Sequence, residues 1–99
     1  MHFSYVYILT NKNHTVLYIG VTSNLIKRIY QHKIKAYKGF TARYNCDQLV
    51  YYQEFPNISQ AIEYEKKIKA GSRKAKEKLI ASLNPEWHDL AADWLFFFQ

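Results

Sequence analysis

The stretch S4-Y-V-Y-I-L-T-N-K-N-H-T-V-L-Y-I-G-V-T-S-N24 decides how this chain is read. Residues 3–10 and 15–22 are dense in β-branched and aromatic side chains, and the polar N11-K-N-H14 separates them, so the segment predicts a β-hairpin. With Lys12 and Asn13 as the central turn residues, Leu9 faces Val16, Tyr7 faces Tyr18 and Tyr5 faces Gly20. Alternation then sorts two faces. Val6, Ile8, Leu17, Ile19 and Val21 form an apolar core face, and Tyr5, Tyr7, Leu9, Val16, Tyr18 and Gly20 an amphipathic one. The second face carries phenol oxygens that need partners and a glycine that leaves room for approach to the backbone.

Outward from the hairpin, Thr22, Ser23 and Asn24 offer capping oxygens to a helix over about 24–37, striped by Leu25, Ile26, Ile29 and Ala36. Arg28 and His32 are four apart, so they lie together at one margin of that stripe, within reach of the sheet. Residues 35–45, KAYKGFTARYN, read as a basic aromatic loop, and 49–55, LVYYQEF, as a third strand. Beyond Pro56, Ser59 caps a predicted helix to about Ala70 that ends at Gly71, with Ile58, Ala61, Ile62 and Ile68 inward. Glu65 falls on that same apolar stripe, so a carboxylate points inward. Ser72 opens a further helix with Ala75, Leu79, Ile80 and Leu83 inward, closed by Asn84 before Pro85, and the tail from Glu86, ending in WLFFFQ, folds back onto the domain.

Ninety-nine residues, 48% hydrophobic and 17% aromatic, suffice for one core, and the chain is read as a single domain over 1–99. The formal charge is +6 and the pI near 9.4. Residues 1–46 hold seven Lys or Arg and no Asp or Glu, a half suited to polyanions. Cys46 is alone, which excludes an internal disulfide and a zinc ribbon and suits a reducing compartment, the cytoplasm by default. No apolar run suffices to span a bilayer and no secretion signal is recognisable, so neither a secreted nor a membrane-spanning protein is expected. His2, His14 and His88 show no metal-ligand spacing.

Tyr5-Val6-Tyr7, Tyr18-Ile19-Gly20, Arg28 with His32, Glu65 in EYEKKIK and Asn84 in NPEW together resemble the GIY-YIG endonuclease family, over most of the chain and in the family's order. The likeness is to its small stand-alone members. One departure stands out: Tyr5 occupies the place of the family's first glycine. The resemblance implies an α+β fold, a three-stranded antiparallel sheet flanked by helices, and metal-dependent cleavage of a DNA phosphodiester. It implies Glu65 as the carboxylate ligand of one divalent cation, Mg²⁺ or Mn²⁺, with waters and the scissile phosphate completing the octahedron. Arg28 then grips the phosphate, and Gly20 lets it approach. Tyr7 is the candidate base for the attacking water, helped by Tyr18 or His32, and Asn84 orders the site. Lys33, Lys35, Lys38, Arg43, Lys67 and Lys69 are expected to hold the nucleic-acid backbone without reading bases.

Each residue also has a plainer role. Tyr7 and Tyr18 as a cross-strand pair contribute roughly 0.2–1 kcal/mol, Glu65 pairs with a lysine or Arg28, and Asn84 caps a helix. The competing functions are a non-catalytic basic module that binds DNA or RNA, and an interaction domain using the aromatic tail. DNA is the expected partner, with RNA left open, no membrane, and a monomer or weak homodimer.

Overall fold

The computed structural model describes residues 2–96. Its three strands are β1 (Ser4–Thr10), β2 (Leu17–Thr22) and β3 (Gln48–Phe55), and its helices are α1 (Leu25–Lys33), a short α2 (Phe40–Arg43), α3 (Ile58–Ala70) and α4 (Arg73–Leu83). The sheet is antiparallel in the order β2-β1-β3, so β1 is central and the architecture is the expected α+β one.

The hairpin forms with a different register. Tyr7 pairs with Gly20, Leu9 with Tyr18 and Tyr5 with Thr22, a slip of two residues from the pairing expected. The cause is the Asn11 side chain. Its Oδ1 accepts from the backbone N–H groups of Thr15 and Val16 at 2.9 and 3.0 Å, and its Nδ2 donates to Thr15 Oγ1 at 2.7 Å. His14 takes a left-handed φ of 57° in the same turn. This Asn-organised loop reaches Val16, longer than a two-residue turn. Because side chains alternate with period two, a slip of two leaves both faces as they were.

Val6, Ile8 and Ile19 pack with Ala61 and Ile68 of α3 and Ile80 of α4; Tyr7 and Leu9 pack with Leu25 and Ile29 of α1, Cys46, Leu49 and Ala91. Both faces are therefore core, and the second is less amphipathic than alternation alone suggests: Tyr7 and Leu9 are fully buried. A bulge at Val50 turns both Val50 and Tyr51 to the α3–α4 side while Leu49 faces α1.

Element ends differ in detail. The Asn24 side chain accepts from Lys27 N–H as predicted for a cap, but α1 stops at Lys33, two residues before Lys35 adopts a positive φ, and Ala36 falls outside it; Ile26, within the helix, is exposed. Asn57, not Ser59, caps α3, with Oδ1 accepting from Gln60 N–H at 2.9 Å. Ile58, Ile62, Ala75 and Leu83 are exposed, so narrower stripes than expected are buried on α3 and α4. Residues 40–43, read as loop, form α2. The tail folds back as anticipated. Leu90 N–H donates to the Leu49 carbonyl at 2.7 Å, Asp89 accepts from Leu49 N–H at 3.0 Å, and Trp94 and Phe96 pack on the Tyr7 side. Phe97 and Phe98 of the aromatic run lie outside the described residues. Among those described, Cys46 is a buried free thiol and no helix is long and apolar enough to cross a membrane.

Candidate active site

Gly20 determines where the Tyr7 ring lies. A β-carbon at Gly20 would stand 2.4 Å from both Cζ and Oη of Tyr7. The room that glycine leaves is thus filled by the chain's own phenol, which replaces the expectation that it admits a phosphate. Laid across β2, the Tyr7 hydroxyl meets α1, where its Oη is 2.9 Å from His32 Nε2. The other ring nitrogen, Nδ1, is 3.0 Å from Thr41 Oγ1 of α2. The Tyr18 ring completes the cluster, with its centroid 6.3 Å from Tyr7, 5.8 Å from His32 and 6.0 Å from Phe40, on which it stacks.

Charge acts on this cluster from two helices. Burial raises the Tyr7 pKa to about 12, with Tyr18 adding to the rise. Arg28 opposes it by its charge, and Glu65 lies near enough to add a smaller upward push. His32 is driven down to about 4, first by burial and then by Arg28, so its ring is neutral at pH 7. Arg28 itself is exposed. Glu65 is inward as its spacing requires, its side chain 14% exposed, and Lys69 one turn on reaches it at 3.2 Å.

Two cavities of about 500 Å³ each share Tyr18 and Phe40 as walls. One is lined by Arg28, His32, Lys35 and Lys38, the other by Lys69, Arg73 and Lys76. The paired cavities present basic walls on either side of an aromatic divide.

The remaining expected residues lie elsewhere. Lys33 is tied to Asp89 at 2.6 Å and to the Asp47 carbonyl at 3.0 Å, anchoring the tail in place of a polyanion. Lys67 lines clefts beside Tyr64, apart from the phenols, and Arg43 lies over the Tyr44 ring at 5.5 Å. Buried Asn84 donates to the carbonyls of Val50 and His88 at 3.2 and 2.8 Å and accepts from His88 N–H at 3.1 Å. It clamps the end of α4 to the bulge of β3. Tyr5 donates to Glu54 at 3.1 Å, towards β3 and away from the cluster. Thr41 and Phe40 were not anticipated; within a loop-like run, neither residue type signals a site.

Among the described residues no three His, Cys, Asp or Glu side chains gather as a metal cluster. Glu65 is a single hard oxygen donor, and Mg²⁺ commonly binds through one or two carboxylates, waters and substrate phosphate, so this donor set fits such an ion.

Residues 3–78 match the model of the GIY-YIG catalytic domain. A UPF0213 protein of Natronomonas pharaonis is 35% identical over 77 residues, covering 78% of this chain and 89% of that one. One of Clostridium perfringens is 39% identical over 79 residues, covering 80% and 84%. The solution NMR structure of a UPF0213 protein from Bacillus halodurans, 27% identical, aligns over 92% of this chain and 97% of its own with a TM-score of 0.57.

Proposed function

The chain belongs to the GIY-YIG nuclease family, and from that premise we propose that it is a divalent metal-dependent endonuclease that hydrolyses DNA phosphodiester bonds. The observation that carries this reading is the hydrogen-bonded chain from Tyr7 through His32, set beside Arg28 and within the field of Glu65. Attack by water requires that a proton leave the nucleophile as negative charge builds on the phosphoryl oxygens. A phenol with a pKa near 12 is protonated and accepts nothing until it passes its own proton on. The neutral imidazole of His32, 2.9 Å away, is the acceptor.

The proton then moves from water to Tyr7 Oη while the phenol proton moves to His32 Nε2. Substrate assists this step. Burial is the larger cause of the low His32 pKa; a phosphate bound by Arg28 offsets the smaller, charge-based part, so the imidazole becomes a somewhat better base when the phosphodiester is present. Glu65 would hold Mg²⁺ or Mn²⁺, which supplies neutralisation of the phosphoryl charge and of the departing oxygen. With a cation on Glu65, Lys69 would be released to the phosphate backbone, together with Lys35 and Lys38 around the groove.

Supercoiled plasmid with Mg²⁺ or Mn²⁺ tests the proposal. The wild type is expected to nick it, and folded Glu65→Gln and Arg28→Ala variants to do so at least about 100-fold more slowly. Equal nicking by wild type and Glu65→Gln would point to a contaminant and overturn the assignment. Salt-sensitive DNA binding with no nicking under either metal would make the protein a basic binding module.

A further inference from the structure

The two nitrogens of His32 have different partners, and the bonding capacity of those partners determines where the imidazole proton sits. Tyr7 is fully buried, so its single hydroxyl hydrogen needs an acceptor. Among the described residues, the side-chain atom within hydrogen-bond distance of its oxygen is His32 Nε2, at 2.9 Å. Arg28, whose charge acts on the phenol, only donates. The hydroxyl hydrogen must therefore go to Nε2, which has to be bare. The one proton of the neutral ring is then on Nδ1, and Thr41 Oγ1 at 3.0 Å receives it.

We propose that Thr41 is a positioning residue that holds His32 as the Nδ1–H tautomer, turning an unprotonated Nε2 to Tyr7. Which nitrogen of an imidazole carries the proton is set by the hydrogen bond made by the other, and Thr41 makes that bond. Its role does not change during the proton transfer. Before transfer, Tyr7 Oη–H donates to Nε2 and Nδ1–H donates to Thr41; afterwards the imidazolium donates from Nε2 to Tyr7 Oη, which now carries the proton taken from water, and still from Nδ1 to Thr41. No further proton moves, and the hydroxyl remains an acceptor throughout.

Thr41 is fixed at both ends of its short helix. Its carbonyl accepts from Cys46 N–H at 2.9 Å, and its neighbour Phe40 stacks on Tyr18. The segment that carries the basic and aromatic wall of the groove thereby also sets the proton on His32.

The catalytic consequence rests on the endonuclease reading, whereas the tautomer does not, and the test separates them. Long-range ¹H–¹⁵N correlation spectra at neutral pH, with the His32 signal assigned through His32→Gln, should show Nδ1 protonated and Nε2 bare. In Thr41→Val, which keeps the side-chain shape, the Nε2–H tautomer should appear and plasmid nicking fall about 10- to 100-fold. Thr41→Ser should restore both. A wild-type ring protonated at Nε2, or a Val variant in which the tautomer is unmoved, overturns the proposal whatever happens to nicking. A tautomer that shifts as expected in a protein that nicks nothing upholds Thr41 and removes the endonuclease reading instead.

Discussion

Tyr7 and Tyr51 are buried on neighbouring strands of one sheet, one pairing position apart, and point to opposite faces. Burial is the leading cause that raises the pKa of each above the ordinary phenol. Their partners differ. Tyr51 donates to Gln53 Oε1 at 2.7 Å and meets Tyr64 Oη at 3.1 Å, an amide and a second phenol, neither of which offers a basic nitrogen lone pair to receive a proton. Tyr7 meets a neutral imidazole, with a guanidinium and a carboxylate in its field. Burial alone makes a tyrosine a poor base; what separates the two faces is whether a neighbour can carry the proton onward.

The largest effect expected from that contrast is on cleavage. Tyr7→Phe keeps the ring and removes the relay, so nicking should fall by about 10² to 10⁴. Tyr51→Phe removes the bonds to Gln53 and Tyr64 and should leave nicking unchanged while lowering unfolding free energy by about 1 kcal/mol. Plasmid nicking and urea melts on the two variants measure both sides. Equal losses of nicking would mean that packing, not the His32 contact, distinguishes Tyr7.

Next in size is Gly20→Ala, which attacks the Tyr7 face through space. The added methyl must displace a fully buried ring from 2.4 Å, and the ring cannot yield without breaking the bond to His32. Overpacking of this kind costs about 1–3 kcal/mol, and nicking should fall with it. Pairing Gly20→Ala with Tyr7→Phe in a double-mutant cycle checks the route: once the hydroxyl is gone, the alanine should do little further harm to nicking. Additive losses would show that Gly20 acts on the site by some other path.

What the sequence made legible follows from the range of the interactions involved. Alternation placed Tyr7 and Tyr18 on one face because period two is a local property that survives the register slip imposed by Asn11. Helical spacing joined Arg28 to His32 and turned Glu65 inward for the same reason. The register itself was not legible, since it depends on a side chain closing its own turn. Nor was the burial of the amphipathic face, which is covered by the distant tail through Leu90 and Ala91. Gly20 was read as a site of ligand approach because an empty position looks the same from sequence whether substrate or a neighbouring ring fills it. Thr41 left no signal at all: its contact with His32 exists only once α2 has formed and the loop has closed.

The smallest expected effect is on the pH dependence of stability, and there the two tyrosines should part company on one side only. In the unfolded chain both phenols titrate near their ordinary 10.0, whereas the folded Tyr7 titrates at about 12 and Tyr51 is raised too. Between those values the folded state holds more protons, so stability falls as pH rises above about 10. Tyr7→Phe and Tyr51→Phe should each flatten that alkaline limb. On the acid side only Tyr7 has a titrating partner. His32 at about 4 in the fold, against an ordinary 6.5, makes the unfolded state bind more protons between those values, so stability falls as pH drops through that window and is regained above 6.5. Urea midpoints from pH 4 to 7 should therefore decline less steeply in His32→Gln than in wild type, while Tyr51→Phe keeps the wild-type acid slope. An acid limb unmoved by His32→Gln would mean that the ring takes up its proton without cost beside Arg28, and Tyr7 would lose the neutral acceptor that distinguishes it from Tyr51.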